Sequence, residues 1–528
     1  MTLSRRLRML APLALALTAA LPACSGEDAS SNEDDLTSVR ARARELRFEG
    51  VVYVEPGTSA DDVLRTVHKQ TKTAFGPLRT SEVMVNNREL KGVDPETFVE
   101  REVTVVDTTG DAAPKQMLEV RYTYVDDAVV PEDMMEQSKL DSALLRPSYE
   151  SDNKRILVEC TPNDSHAQEF ASSIWYVFEP SLSSCRKAMQ AEQQIVDEAR
   201  GALGDIETEV SLAEVQRLYL PITMVLGADK TNQGSSWPEY DQLYAGGVQP
   251  GALVMSLING KIDHESHDGI YQDSGYGEWL DSIAEVFEGR PGFELLSVEG
   301  GEDISTYELS SGKVVEGLGF RDFIAFEQGS GFPTGLTSSD KTELRKAVGE
   351  RISRKWITFE LPARVKIGKT KERDVRVQLM TWFGDATSTS LFKHAIKNSD
   401  VFLYNGHSMI GFGPLDPKNF TSADFPQTYQ ILFIDGCVSY NYYEADYIPL
   451  KDEGTKKLDI ITNALESPAY RSGQGLGLFM STLIDGRQAS WRDLLESAEV
   501  SGSGLRVVDG ELDNVYSPKK TPIVVTAQ

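Results

Sequence analysis

The sequence predicts an α/β protein: a mostly parallel sheet with helical crossovers in its C-terminal domain, preceded by α+β domains. Three observations carry this. Val401-Phe402-Leu403-Tyr404 and Ile431-Leu432-Phe433-Ile434 are uninterrupted apolar runs, and Leu458–Thr462 is a third such segment. Strands apolar on both faces are covered on both faces, as parallel strands are. Helical spacing flanks them, in Leu391, Phe392, Ala395 and Ile396, then in Leu476, Phe479, Met480, Leu483 and Ile484. With 528 residues and 40% hydrophobic content, the chain has material for two or three domains with real cores.

The N-terminus reads as an export signal. Arg5, Arg6 and Arg8 precede an apolar run, Met9–Leu21, of 13 residues. That is shorter than the about 20 helical residues a bilayer requires. It ends in Leu21-Pro22-Ala23-Cys24, which resembles the bacterial lipobox. The resemblance implies removal of residues 1–23, diacylation of Cys24 and a lipid-anchored place in the cell envelope. Ser25 favours the outer membrane where the host has one. Residues 24–48, opening with a small, acidic stretch, read as a flexible tether.

Residues 49–212 form a first, α+β unit. Gly50–Val54 reads as a strand, Ala60–Ala74 as a helix, Val120–Val125 as an alternating strand, Ile156–Val158 as a short strand and Arg186–Ala202 as a polar-faced helix. Residues 213–336 form a middle region with one helix near Glu278–Phe287. Its Asp263-His264-Glu265-Ser266-His267-Asp268 is not HExxH, because only two residues separate the histidines, and it reads as a solvated loop. No metal or cofactor is expected. Residues 337–528 form the α/β domain, opening with a helix around Leu344, Ala347, Val348 and Ile352 and a strand over Val375–Phe383.

Ligands of open α/β sheets bind beyond the carboxyl ends of the strands. Those ends deliver Gly384-Asp385, Gly406-His407-Ser408, Asp435-Gly436-Cys437 and Thr462-Asn463. With Cys24 committed to lipid, Cys160, Cys185 and Cys437 remain, and three thiols cannot all pair. Proximity favours a Cys160–Cys185 bridge, which leaves Cys437 as the odd thiol. Ser408 fails as a hydrolase nucleophile. Gly411 falls one residue late for a nucleophile elbow, and no His follows it, since the six are at 68, 166, 264, 267, 394 and 407.

A strand ending in Gly-His followed by a strand ending in a small residue plus Cys resembles the caspase–gingipain clan of cysteine peptidases, gingipains most closely. Tyr404–Ser408 is similar to their histidine block and Gly436-Cys437-Val438, with Tyr440, Tyr442 and Tyr443, to their cysteine block. Ile460–Gln474 is similar to their substrate-wall segment. The resemblance spans about 375–490. It implies a caspase-like sheet and peptide-bond hydrolysis without cofactor, with Cys437 as nucleophile and His407 protonating the leaving amine. The backbone N–H groups of Cys437 and Ser408 would hold the oxyanion, with Ser408 standing where the clan has Gly and straining the geometry. Asp385 is the candidate orienting acid and Glu466 the candidate substrate-pocket residue.

The balance of 53 Lys+Arg against 81 Asp+Glu gives a net charge of −28. This excludes nucleic acid, whose phosphates need clustered cations, and favours a cationic peptide or protein substrate. The competing expectations are a non-catalytic lipoprotein using a degenerate peptidase fold as a binding scaffold and, less central, an acyl or thioester hydrolase using the same thiol.

Overall fold

A short strand, β1 (Leu36–Ser38), is the first described element and runs into the long β2 (Ala41–Val54). The computed structural model describes residues 36–527 apart from 111, 205, 264–266, 370, 468–470, 486–487 and 501–503. The signal segment and Cys24 lie outside the described residues, as do His264, Glu265 and Ser266. The tether expected over 24–48 is too long, because 36–38 and 41–48 are strand. Leu46 and Phe48 are fully buried on one face of β2 while charged neighbours look outward, a period-2 pattern hidden among arginines and glutamates.

The first sheet continues with β3 (Met84–Val85), β4 (Val99–Val106), β5 (Lys115–Pro131), β6 (Lys139–Leu145), β7 (Glu209–Ser211) and β8 (Tyr219–Asp229). Its order is β6-β8-β2-β5-β4-β7, with β3 on β5. All its pairs are antiparallel except β4 with β7. Ile156–Val158, expected as a strand, lies in the helix Asn153–Glu159, since a short apolar run alone does not distinguish the two. Cys160 and Cys185 form a disulfide that ties this helix to the helix Ser183–Leu203.

The second sheet draws on β9 (Ala252–Gly260), β10 (Glu294–Val298), β13 (Ile357–Ile367), β14 (Lys371–Gly384), β15 (Val401–Asn405), β16 (Gln430–Asp435), β17 (Leu458–Asn463), β18 (Arg506–Asp509) and β19 (Ile523–Ala527). Between them, β11 (Tyr307–Glu308) and β12 (Val314–Val315) form a separate ribbon. The order is β1-β18-β17-β16-β15-β9-β14-β13-β10, with β19 on β13. The strands from β14 through β9, β15 and β16 to β17 pair in parallel, and the flanking pairs are antiparallel. The protein is thus mixed α/β, with parallel strands at the centre of its larger sheet.

The expected division at 212 and 336 does not hold. β8 belongs to the first sheet, while β9 and β10 belong to the second, with β9 at its centre. Every residue of β9 is buried.

The two faces of the parallel strands enter different cores. Val401, Leu403, Ile431 and Phe433 pack with Trp279, Ile283, Phe479 and Met480 from the helices Ser274–Phe287 and Ser472–Ile484. Phe402, Tyr404, Leu432 and Ile434 belong to the same core as Phe48, Tyr124 and Leu144 of the first sheet. Burying one such side chain fully is worth about 1.5–3 kcal/mol, so this shared core holds the two sheets together.

Candidate functional site

The register of β15 with β16 pairs Asn405 with Asp435, so the chain leaves both strands at the same level. Gly406-His407-Ser408 follows one and Gly436-Cys437-Val438 the other. Gly436 allows the two turns to close: a Cβ there would stand 3.2 Å from Gly406 O and 3.5 Å from Ser408 N. The end of β16 is fixed by a buried ion pair, Arg506 Nη2 to Asp435 Oδ2 at 2.9 Å, with Ser467 Oγ donating to the other carboxylate oxygen at 2.8 Å.

Cys437 is the free thiol, partly buried, and its sulfur lies 3.8 Å from Ser467 O. Burial pushes its pKa up to about 11, and the Glu466 carboxylate beside it adds to the rise. The thiol is therefore protonated at neutral pH and needs a proton acceptor to become a nucleophile. The next residue, Val438, has φ 47° and ψ 35°, a left-handed conformation that a β-branched residue adopts only under constraint. The constraint is visible. Val438 is fully buried, its N–H donates to Leu465 O at 3.0 Å, and Ser439 Oγ donates to Ile434 O at 2.8 Å while receiving Asn463 N at 2.9 Å.

His407 Nε2 stands 2.9 Å from Ile262 O, just beyond the end of β9. A carbonyl oxygen only accepts, so Nε2 carries a proton in this contact. Tyr404 Oη donates to His407 O at 2.9 Å and Tyr443 Oη to Ser408 O at 2.6 Å, which holds the turn from both sides. Ser408 itself is unstrained, with φ −74° and ψ −14°. The left-handed residues are its successors, Met409 and Ile410, at φ 49° and 46°. The expected strain at Ser408 is thus misplaced by one residue. Among the described residues the Ser408 N–H has no acceptor, and the Cys437 N–H has none beyond its own sulfur.

The contacts of Asp385 are with cations. It projects, half-exposed, from the end of β14, where Arg354 Nε approaches it at 3.2 Å and Lys261 Nζ at 3.7 Å. β9 separates β14 from β15, and the Ile262 carbonyl delivered by β9 meets the His407 ring. Sequence inspection misses it because a backbone oxygen has no letter. The one available signal was the apolar run Ala252–Ile258, whose end marks a strand terminus.

Glu466 does lie beside Cys437, but it is already engaged. Arg79 Nη1 sits 2.6 Å from Glu466 Oε1, and Tyr176 Oη donates to the same oxygen at 3.3 Å. The Arg79 guanidinium stacks 4.8 Å above the Tyr176 ring. Both residues come from short helices, Phe75–Thr80 and Ile174–Val177, that belong to the first sheet's side of the molecule. Nearby, Arg88 Nη1 pairs with Asp416 at 2.8 Å and Arg88 also donates to Gly411 O, gripping the loop that follows His407.

Among the described residues, one His/Asp group has its ligand atoms within 4.8 Å of one another: Asp263, His267 and Asp273. Its carboxylates are occupied with backbone and hydroxyl donors around the start of the helix Ser274–Phe287. Among the described residues no helix is long and apolar enough to cross a membrane. No protein-family model, no curated protein and no solved structure matches this chain.

Proposed function

We propose that the chain is a lipid-anchored cysteine endopeptidase of the cell envelope, with a caspase-like sheet and a Cys437/His407 dyad. The observation that carries this is the delivery of His407 and Cys437 from the ends of adjacent parallel strands at one level, with a strained residue directly after the cysteine. Strain at such a turn is kept where it positions a reacting atom.

In the proposed reaction, Nδ1 of His407 takes the Cys437 proton as the sulfur adds to the scissile carbonyl. The oxyanion is received by the N–H groups of Ser408 and Cys437. Collapse of the adduct breaks the C–N bond, and the imidazolium returns its proton to the departing amine. Water then releases the acyl group from sulfur, with His407 again as base. Glu466 holds a cationic side chain of the substrate, and the Arg79 pairing supports the match, since a guanidinium stacked on Tyr176 already suits that carboxylate.

The same pairing favours a second function, a binding scaffold without turnover, because it neutralises Glu466 from within while the thiol stays protonated. The deciding experiment is hydrolysis of fluorogenic peptides ending in Arg, Lys, Asn or Asp by wild type, Cys437→Ala and His407→Ala. Turnover lost in both folded variants supports the peptidase. Equal background rates in all three leave the scaffold. Anchoring is tested separately, by the release of Cys24→Ala from membranes after a high-salt wash.

A further inference from the structure

We propose that Asp273 is a positioning residue for His407 and acts on it through the Ile262–Asp263 peptide. That peptide is planar and trans, so its C=O and N–H point in opposite directions. On one side Ile262 O meets His407 Nε2 at 2.9 Å. On the other, the Asp263 N–H donates to Asp273 Oδ2 at 3.3 Å. Holding the N–H therefore aims the carbonyl. The Ile262 N–H donates to Asp273 Oδ1 at 3.0 Å, so one carboxylate fixes two successive peptides.

The carboxylate is itself anchored. Asp273 is 2% exposed and caps the helix Ser274–Phe287, receiving the Gly275 N–H at 2.9 Å. That helix is packed by Trp279 and Ile283, both fully buried. Gly275 is required for the approach, since a Cβ there would stand 2.5 Å from Gly260 O. Asp263 closes the ring by accepting from Ser274 N at 2.9 Å and Ser274 Oγ at 2.7 Å. Upstream, Lys261 N donates to Gly384 O at 2.8 Å.

The chain of contacts runs from carboxylate to peptide to imidazole. A negative charge on the peptide N–H polarises the bond and makes Ile262 O a stronger acceptor. A stronger acceptor at Nε2 favours the tautomer with the proton on Nε2. Asp273 so serves His407 as a directly bonded carboxylate would, one peptide removed. Its catalytic meaning rests on the proposed peptidase, but the contact can be read without turnover.

The test exploits the two carboxylate oxygens. Oδ1 receives Ile262 N and Gly275 N, while Oδ2 receives Asp263 N alone. In Asp273→Asn the amide oxygen keeps the cap, since Asn caps as well as Asp, and the amide nitrogen opposes the Asp263 N–H. The full chain labelled with ¹⁵N-histidine would be compared at pH 8, with the His407 signals assigned by their loss in His407→Ala. Wild type should show the Nε2–H form. In Asp273→Asn the ratio of Nε2–H to Nδ1–H should fall measurably, because Ile262 O becomes a weaker acceptor once the charge beside its peptide is gone. Ser274→Ala, which touches only the flanking cap, should leave the signals in place. If Asp273→Asn fails to fold, Asp273→Ser, a cap with a single acceptor, should give the same fall. An unchanged His407 tautomer in the folded Asp273 variant overturns the proposal. A relay present without peptide cleavage removes the peptidase alone, and cleavage with an indifferent His407 removes the relay alone.

Discussion

Arg79 and Glu466 join the two halves of the molecule at the cysteine site, with Nη1 and Oε1 2.6 Å apart and the guanidinium stacked on Tyr176. The pair brings a cation from the first sheet's side to the acid whose charge acts most on Cys437 on the other. Glu466 keeps 45% of its side chain exposed, so the pair contributes little to stability, about 0–1 kcal/mol. Its effect should instead be kinetic.

Arg79→Ala is accordingly expected to change thermal stability only slightly and to raise kcat/KM for peptides ending in Arg. Glu466→Gln should remove that gain. The check is a steady-state comparison of wild type, both single variants and the double variant. A peptide rate indifferent to Arg79 would dismiss Glu466 as the substrate pocket.

Cys437 should be a slow thiol. With its pKa pushed up to about 11 by burial and then by Glu466, iodoacetamide at pH 7.5 should modify it roughly two orders of magnitude more slowly than an exposed cysteine. Glu466→Gln removes a neighbouring negative charge, so the thiolate becomes easier to form and alkylation should accelerate. The stability this buried thiol contributes is full below the unfolded value, about 8.5, and is lost as pH rises toward 11. Mass-resolved alkylation against pH measures the first effect, and urea midpoints at pH 8 and 10 the second.

Ser408→Gly should bring no gain in activity, because Ser408 already sits at φ −74°. Gly436→Ala should do harm, since its methyl would press on Gly406 O at 3.2 Å and separate the two strand ends. A cost of about 1–3 kcal/mol is expected from such overpacking, with peptide turnover falling further than stability. A faster Ser408→Gly enzyme would return the strain to Ser408.

Asp435 and Arg506 form a fully buried pair, and Arg506 also approaches Glu499 at 3.3 Å. Arg506→Leu would strand two buried carboxylates directly behind Cys437. A loss of about 3–5 kcal/mol is expected, read as a lower urea midpoint. Asp435→Asn placed on the same chain should recover part of it, because the stranded charge is then gone. A near-neutral Arg506→Leu would mean that water reaches this strand end.

A pH effect should come from the first sheet. Burial raises the Asp126 carboxyl to about 7, with Tyr124 Oη donating to it as a partial counterweight. A raised acid stabilises the fold fully below the unfolded value, about 3.9, and that contribution is lost as pH climbs through 7. Stability should therefore fall between pH 4 and 7, and Asp126→Asn should flatten the curve. Denaturation at a series of pH values gives the slope directly.

What was legible in the sequence is what side-chain pattern encodes. The runs at β15, β16 and β17 announced buried strands, and strand ends gave His407 and Cys437. Three kinds of information were not legible. Ile262 acts through its carbonyl, and Asp273 resembles any loop acid until its three backbone donors are seen. The alternation Leu46, Phe48, Val52 in β2 was masked by charged residues that face solvent. The merging of two sheets into one core depends on contacts hundreds of residues apart, such as Asn441 Nδ2 donating to Val85 O at 2.9 Å.

β1 has a consequence for the reach of the protein. It pairs Leu36, Thr37 and Ser38 with Asp509, Val508 and Val507 and so locks the chain to the sheet from residue 36 onward. An acylated Cys24 would then be separated from Leu36 by eleven residues. Fully stretched, these span no more than about 40 Å, at roughly 3.3–3.6 Å each. Under the proposed anchoring, the folded body would stay within that distance of its bilayer. Under the proposed function, a substrate would then have to be met at the membrane rather than far from it.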